Sequence, residues 1–558
     1  MRRPAALVLL GVFGIGVFLA GLELMITAVA LPSIITDLAA RSGASAWVEL
    51  RTASWIINGY LLVYIVVMPL AGRLADVWGA RQLFMAALGV FVLGSALAGA
   101  SQDLDQLIAA RVVQALGGGI LVPVGTAAAA HLFDGPARPR ALGVIGALTF
   151  LGMAAGPFVG AAILSAIHPV DAVAAHGLGD TVVGAITAPA WRWVFYLNVP
   201  IGVCCIVLAW AASVGWEPAH RGGRVDWPGA ATFGLGLAAG LVALTLIGAT
   251  RDAASPIDPT TLTIALALFA VLATALAILR ALRSSDPFLD VRLFRIRAFS
   301  ASALVSLLTG YAFATAIIGG AVFVDRVLYG GPDQQRLALG ALAAATAVGA
   351  LVSGFLLRAI SPRIVTLGGL VASVAGLGAM AMWTSTTGIA SVALSLAVFG
   401  VGFGLTVTPR STAAIEAAGR RAFGAASSVV TVARMIGMAI GLAILTAYGS
   451  TTIDRLSAQV YATPDAYRAY IPVELRDRPL RDPFVVQALE AWASREAASI
   501  MVGLFVVAAV VTVAAAPAAM AMGSGARRTA SVASQDPAAP DGTRMLAGDG
   551  RREPDLLL

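Results

Sequence analysis

The N-terminal stretch AALVLLGVFGIGVFLAGLELMITAVAL, residues 5–31, is almost entirely apolar and contains one ionisable residue, Glu23. About 20 apolar residues in helical conformation cross the ~30 Å hydrocarbon core of a bilayer, so the stretch predicts a transmembrane helix. A carboxylate at such a position costs roughly 2.5–3.5 kcal/mol on insertion scales unless it faces a partner or water. Glu23 is therefore the first candidate functional residue.

The whole chain has the composition of a membrane protein. Of its 558 residues, 59% are hydrophobic and 12% are charged, and the mean hydropathy is +0.87. Such a chain cannot bury its apolar surface away from water, which excludes a soluble protein. The net charge of +7 indicates an arginine bias towards the cytoplasm rather than nucleic-acid binding. All 37 basic residues are arginine, which we attribute to codon bias in a GC-rich genome.

Hydropathy predicts fourteen transmembrane helices. The predicted fold class is therefore an all-α integral membrane protein. With both termini in the cytoplasm, eighteen arginines fall in short cytoplasmic segments, Arg410 among them, and six in short outer loops. This bias supports the count and a place in the cytoplasmic membrane. The predicted spans are 6–31, 53–71, 83–101, 107–130, 141–167, 194–214, 228–249, 260–280, 299–324, 337–358, 363–384, 388–409, 422–448 and 498–521.

Two regions fall outside the apolar pattern. Residues 449–497 are charged and rich in proline and tyrosine, which predicts an ordered outer loop with short helices. Residues 523–558 have the composition of a disordered cytoplasmic tail.

The sequence GRLADVWGAR, residues 72–81, follows the second predicted span. Glycines at a tight turn allow helices to approach, and a carboxylate suits the positive end of a helix dipole. The stretch is typical of a breakable latch between helical bundles, although a solvated turn explains it equally well by itself. The latch residues are Gly72, Arg73, Asp76, Gly79 and Arg81.

Two further spans carry unusual residues. Arg111 lies inside the fourth span with Gln114 one helical turn further on the same face, and it either pairs with a buried acid or extends to the outer surface. Arg434 is a second buried basic residue, in the thirteenth span. The fifth span has the small residues of a closely packed, kinkable helix, namely Gly143, Gly152, Gly156, Pro157 and Gly160.

Together these motifs resemble the major facilitator superfamily, and specifically its fourteen-span drug:proton antiporter branch. GRLADVWGAR resembles the signature between helices 2 and 3, and RVVQALGGG the basic motif of helix 4, with Ala115 in place of a glycine. The fifth-span glycines resemble the antiporter motif. The first span is similar to the first-helix motif of the branch, with Glu23 where aspartate is usual, and WRWVFYLNVPIG, residues 191–202, resembles the start of its sixth helix.

The resemblance implies two six-helix bundles with two extra helices between them and a substrate site near the membrane midplane. We expect an N-terminal bundle in residues 1–214, the extra helices and a basic loop in 215–297, and a C-terminal bundle in 298–522. The expected activity is export driven by the proton gradient, with no cofactor, metal site or catalytic residue. The expected partners are a small hydrophobic or amphiphilic substrate, protons and membrane lipids.

Glu23 is the predicted proton carrier or the partner of a cationic substrate. Burial favours the protonated carboxyl and a nearby arginine favours the ionised form, so a small rearrangement can change its charge. The alternative is a carboxyl kept neutral for packing. Asp325, at the outer end of the ninth span, is a second candidate.

Three functions remain open from the sequence. The first is multidrug efflux. The second is export of lipids with a lipoprotein partner, because the motif VARMIGMAIG and the long outer loop resemble actinobacterial lipid exporters of this branch. The third is a membrane-embedded glycosyltransferase, whose only support is the pair Asp103 and Asp105; both are ordinary residues for the start of a helix.

Overall fold

The computed structural model describes residues 3–42, 46–167, 181–213, 225–246, 258–285, 287, 289–419, 422–460 and 465–523, and all regular elements in these ranges are helical. The predicted tail lies outside them, apart from Gly523. The main helices are α1 Arg3–Ser42, α2 Ala46–Trp78, α3 Ala80–Ala100, α4 Leu104–Leu132, α5 Ala137–Ala166, α6 in two segments Arg192–Tyr196 and Asn198–Ala212, α7 Trp227–Leu246, α8 Pro259–Arg283, α9 Arg297–Val322, α10 Pro332–Leu356, α11 Pro362–Met380, α12 Ile389–Ala418, α13 Phe423–Val460 and α14 Pro483–Ala514.

These 14 helices are long and apolar enough to cross a membrane, which confirms the predicted number of spans. The division between the eleventh and twelfth spans is confirmed as well, because α11 and α12 are separate helices. The outer loop is shorter than predicted. Residues 449–460 continue α13 and residues 483–497 belong to α14, and the connection between them carries two short 3₁₀ helices.

Glycines bring the same three pairs of helices together in each half of the chain. In the first half the pairs are α1–α5, α2–α4 and α3–α4, and in the second they are α9–α13, α10–α12 and α11–α12. A Cβ atom at the glycine of each contact would overlap the partner helix, so only glycine permits the approach. The glycines are Gly152, Gly119 and Gly94 in the first half and Gly437, Gly404 and Gly376 in the second.

α7 and α8 form a separate pair. A Cβ at Gly236 of α7 would lie 3.0 Å from Thr274 Oγ1 of α8. Asp226, just before α7, accepts a hydrogen bond from Arg280 Nε of α8 at 2.8 Å. α8 leaves apolar side chains such as Val271 and Leu272 about two-thirds exposed, as expected for a helix that faces lipid.

The two halves meet on the side that carries the α2–α3, α4–α5, α10–α11 and α12–α13 connections, here called the arginine-rich side. Asp76 accepts hydrogen bonds from the backbone N–H groups of Gly424 and Ala425, both at 2.8 Å. Ser427 donates to the Pro123 carbonyl at 2.7 Å. Gly72 is so close to the first turn of α13 that a Cβ would overlap it. The predicted latch therefore joins α2 to α13.

One detail of the latch differs from the sequence prediction. Residues 72–78 are not a turn, because α2 continues to Trp78 and the chain turns only at Gly79, which has a positive φ of 91°. The helix that Asp76 caps is α13, in the other half of the protein. A carboxylate at a helix N-terminus is stabilised by the free N–H groups and the helix dipole.

A second contact closes the same side. Gly143 of α5 packs on α10, where a Cβ would lie 3.0 Å from the carbonyl oxygen of Ala350 and 3.1 Å from Gly354 Cα. The first residue of the predicted antiporter motif thus belongs to the interface between the halves. Gly152, Gly156 and Gly160 of the same helix instead face α1.

We expect Asp76→Asn to open the arginine-rich side. Asparagine is also a good N-cap but lacks the charge, and a negative charge at a helix N-terminus is worth about 0.3–2 kcal/mol, a factor of about 2–30 in population. The measurement is the rate at which a maleimide labels Ala426→Cys, a buried position of α13, in purified protein whose Cys204 and Cys205 have been changed to serine. Asp333→Asn, at an exposed aspartate of α10, is the control. Equal labelling rates with and without Asp76 would contradict the latch.

Candidate functional site

Glu23 lies in the middle of α1 and has no exposed surface. The close packing of α5 fixes its helix: a Cβ at Gly152 or Gly156 would overlap the α1 backbone between Phe18 and Ile26. The glycines of the fifth span therefore position the helix that carries the carboxylate.

The Glu23 carboxylate joins three helices of the N-terminal half. Its Oε1 forms an ion pair with Arg111 Nη1 of α4 and accepts a hydrogen bond from Thr27 Oγ1 at 3.0 Å. Its Oε2 accepts a hydrogen bond from Asn198 Nδ2 of α6 at 2.7 Å. The predicted pairing of Glu23 with Arg111 is present, and Asn198 is an additional partner.

These contacts fit the ionised carboxylate. A carboxylate accepts hydrogen bonds at both oxygens and donates none, whereas a protonated carboxyl must donate one. Arg111 and Asn198 donate to Glu23, whereas the Thr27 hydroxyl has a second acceptor, the Glu23 backbone carbonyl at 3.5 Å. The ion pair with Arg111 is the contact that favours a charged Glu23 over a neutral carboxyl held for packing.

Arg111 has other partners besides the acid. Its Nε donates to the Ile56 carbonyl of α2 at 3.2 Å, and its Nη1 donates to Gln114 Oε1 at 2.6 Å. The guanidinium carbon lies 4.0 Å from the centre of the Tyr60 ring. Arg111 is 1% exposed, so it does not extend to the surface, and its charge retains neutral partners if Glu23 binds a proton.

Gln114 continues the network into α3. Its Nε2 donates to Ser95 Oγ at 2.8 Å, and Ser95 donates to the Phe91 carbonyl at 2.9 Å. Each polar side chain along this line is buried and has a partner, as a low-dielectric site requires. The predicted association of Arg111 with Gln114 is present.

Asp325 lies apart from this network. It follows the C-terminal end of α9, its side chain is exposed, and it accepts a hydrogen bond from Gln335 Nε2 at 3.3 Å. The hydrogen bonds described around Glu23 do not include it. Its role in proton coupling stays a prediction.

The C-terminal half contains two buried arginines. Arg434 of α13 is 7% exposed and its guanidinium lies over Phe150 of α5. Arg410 of α12 is 1% exposed, donates to Thr309 Oγ1 and lies over Phe403. The assignment of Arg410 to a cytoplasmic loop was wrong, because α12 continues to Ala418 and places Arg410 in the helix bundle.

Two functional or structural residues escaped the sequence analysis. Asn198 lies within the quoted motif WRWVFYLNVPIG, where an amide in an apolar run is a signal for a buried hydrogen bond. Arg192 of the same motif was counted in an outer loop, but it is fully buried and donates to the Gly99 and Ser101 carbonyls at the end of α3. Asp103 is an N-cap, accepting from Gln106 N at 2.8 Å, which explains it without catalysis.

We expect the stabilities of Glu23→Gln and Arg111→Gln to be strongly non-additive. Removing one member of a buried ion pair leaves an uncompensated group and costs about 3–5 kcal/mol, whereas removing both leaves two amides that can bond to each other. The measurement is the apparent melting temperature of the purified single and double variants. A double variant whose loss equals the sum of the single losses would contradict the pairing.

Comparisons with known proteins agree with this architecture. Residues 13–442 match the Major Facilitator Superfamily. The chain is 31% identical to a protein of Mycolicibacterium hassiacum named triacylglyceride transporter, over 83% of both chains. It is 27% identical to multidrug resistance protein 3 of Bacillus subtilis, over 77% of both chains.

Solved structures show the same fold at low identity. The human organic anion transporter MFSD10 aligns with a TM-score of 0.57 and 13% identity, covering 92% of this chain and all of that one. The proton:xylose symporter XylE aligns with a TM-score of 0.54 and 12% identity, covering 91% and 95%. With its fourteen spans and a family match over most of its length, the chain belongs to the major facilitator superfamily of membrane transporters.

Proposed function

We propose that the protein is a proton-coupled exporter of hydrophobic or amphiphilic compounds in the cytoplasmic membrane, with both termini in the cytoplasm and multidrug efflux as its activity. The observation that carries the proposal is the buried Glu23 carboxylate, joined to α4 by Arg111 and to α6 by Asn198. A relative named as a multidrug resistance protein supports the substrate class. The energy source is the proton gradient, and no cofactor takes part.

The contacts of Glu23 suggest how a proton changes the transporter. Protonation removes the charge that attracts Arg111 and makes one carboxyl oxygen a donor, for which the Thr27 hydroxyl is the acceptor among the three partners, so the contact with Arg111 weakens. The packing of α1, α4 and α6 then changes together. Ile56 and Gln114 hold Arg111 in place meanwhile, so the carboxylate can return to its partner.

A second candidate is lipid export with a lipoprotein partner on the outer side. It is favoured by the relative named as a triacylglyceride transporter and by the extension of α13 and α14 beyond their apolar portions. Val460, Tyr467, Ile471 and Val485 form a small apolar core there. This folded extension offers a surface for a partner that receives lipid.

The test is proton release from acidified everted vesicles, read with a pH-sensitive dye on addition of lipophilic cations. Wild-type protein should release protons on addition of a substrate cation. Glu23→Gln should abolish the response, because glutamine has the shape of the acid but cannot carry a proton. Glu490→Gln, which makes the same change at an exposed position of α14, is the matched control and should respond as the wild type does.

The outcomes separate the two candidates. Cation-induced release that survives Glu23→Gln would overturn the role of Glu23. If none of the cations causes the wild type to release protons but triacylglyceride incorporated in the vesicles does, lipid export replaces multidrug efflux as the proposed function. An absence of response to either class would contradict proton-coupled export.

A further inference from the structure

Arg410 and Arg434 are buried cations, and no carboxylate in the described part of the chain forms an ion pair with either of them. Nε of Arg434 has no hydrogen-bond partner there. The two guanidinium groups lie over two aromatic rings that contact each other, Phe403 and Phe150. Arg111, by contrast, is buried to the same extent and has Glu23. A buried charge needs compensation, and two neighbouring positive charges increase that need.

The surroundings of the two arginines are aromatic and hydroxylic. Arg434 lies 5.4 Å from the centre of the Phe150 ring, and Arg410 lies 5.2 Å from that of Phe403. Phe150 and Phe403 are themselves in edge contact at 5.5 Å, and Phe313 is stacked on Phe403 at 4.5 Å. The two guanidinium groups therefore border one aromatic cluster, defined here as Phe150, Phe313 and Phe403.

This cluster lies between the two halves of the transporter. Phe150 belongs to α5 of the N-terminal half, whereas Phe313 and Phe403 belong to α9 and α12 of the C-terminal half. A group bound at the arginines would contact both halves, and its affinity would depend on how they are arranged.

Hydroxyl groups complete the polar side of the site. Arg410 donates to Thr309 on α9. One turn earlier on the same face, the buried Ser306 hydroxyl has no hydrogen-bond partner in the described residues. Arginines with a free hydroxyl donor nearby match the oxygens of a carboxylate or phosphate, which guanidinium groups bind through paired hydrogen bonds.

We propose that Arg410 and Arg434 bind the acidic group of an anionic amphiphile, whose apolar body packs on the aromatic cluster of Phe150, Phe313 and Phe403. The inference rests on the proposed export function and adds to its substrates a class of compounds that have a carboxylate or phosphate and an acyl or aryl portion. Glu23 then serves the proton, and the arginines of the other half serve the substrate.

The test is binding of a fluorescent fatty acid, cis-parinaric acid, to the purified protein in lipid nanodiscs. Its methyl ester has the same chain without the charge and is the matched ligand. We expect the acid to bind roughly tenfold or more tightly than the ester, since hydrogen bonds between charged groups supply the difference. Equal affinities for acid and ester would overturn the proposal, and this comparison needs no variant.

Substitutions then locate the site. Arg434→Gln should weaken binding of the acid roughly tenfold or more and leave the ester unchanged, whereas Arg434→Lys should retain part of the preference. Arg363→Gln, at an exposed arginine of α11, is the control and should retain it fully. A preference for the acid that persists in Arg434→Gln would overturn the assignment to this site.

Competition distinguishes an amphiphile from a small anion. Dodecyl phosphate should displace the bound fatty acid, and inorganic phosphate at the same concentration should not, because it lacks the apolar portion. Displacement of the fatty acid by inorganic phosphate would contradict an amphiphile site and indicate a site for simple anions. Binding is measured without a proton gradient, so it is independent of the proton-release experiment. If the acid does not bind preferentially but Glu23-dependent proton release is observed, this inference is contradicted and the proposed function stands.

Discussion

The ion pair between Glu23 and Arg111 is the interaction on which the N-terminal half of the protein depends. Each charge would be costly in a bilayer, and each is compensated by the other and by neutral groups from neighbouring helices. Thr27 and Asn198 donate to the carboxylate, and the Ile56 carbonyl and Gln114 accept from the guanidinium. One network thus links α1, α2, α4 and α6, and a proton that neutralises Glu23 acts on all four.

Close helix contacts convert such a local change into motion of whole helices. Glycines bring α5 against α1 so tightly that their backbones touch, and Gly143 of the same α5 packs on α10 in the other half. The helix α5 therefore contacts both the helix that carries Glu23 and the other half of the protein. Asp76 holds that interface through reversible hydrogen bonds to the N-terminus of α13.

The two halves differ in how they treat buried charge. The first half neutralises Arg111 internally, whereas Arg410 and Arg434 of the second half rely on aromatic rings and hydroxyls. An acidic ligand would complete the second half as Glu23 completes the first. With the proposed roles of Glu23 and of the two arginines, the proton and an acidic substrate would bind at separate sites and affect each other through the conformation of the protein.

The sequence predicted the features that depend on local patterns of apolar and polar residues. The fourteen spans follow from hydropathy, and the grouping of Glu23, Arg111 and Gln114 follows from the rarity of polar residues in apolar runs. It could not predict the partner of Asp76, which lies 348 residues away, or the contact of Asn198 with Glu23, 175 residues apart.

Besides long-range contacts, the ends of some helices could not be predicted from the sequence. The apolar run of the twelfth span stops near Arg410, but the helix continues to Ala418 because packing, not hydropathy, determines where it ends. In the same way α13 and α14 remain helical in charged segments that hydropathy assigned to an outer loop.

The central claim is that the Glu23 carboxylate alternates between an ionised form paired with Arg111 and a protonated form. Infrared difference spectra of the purified protein in lipid, recorded as the pH is lowered, test this directly through the stretching band of a protonated carboxyl group. The account predicts a band that grows on acidification, is absent in Glu23→Gln and changes its midpoint when a transported compound is added. A spectrum in which Glu23→Gln removes no titrating band, over the pH range in which the protein remains folded, would contradict the account.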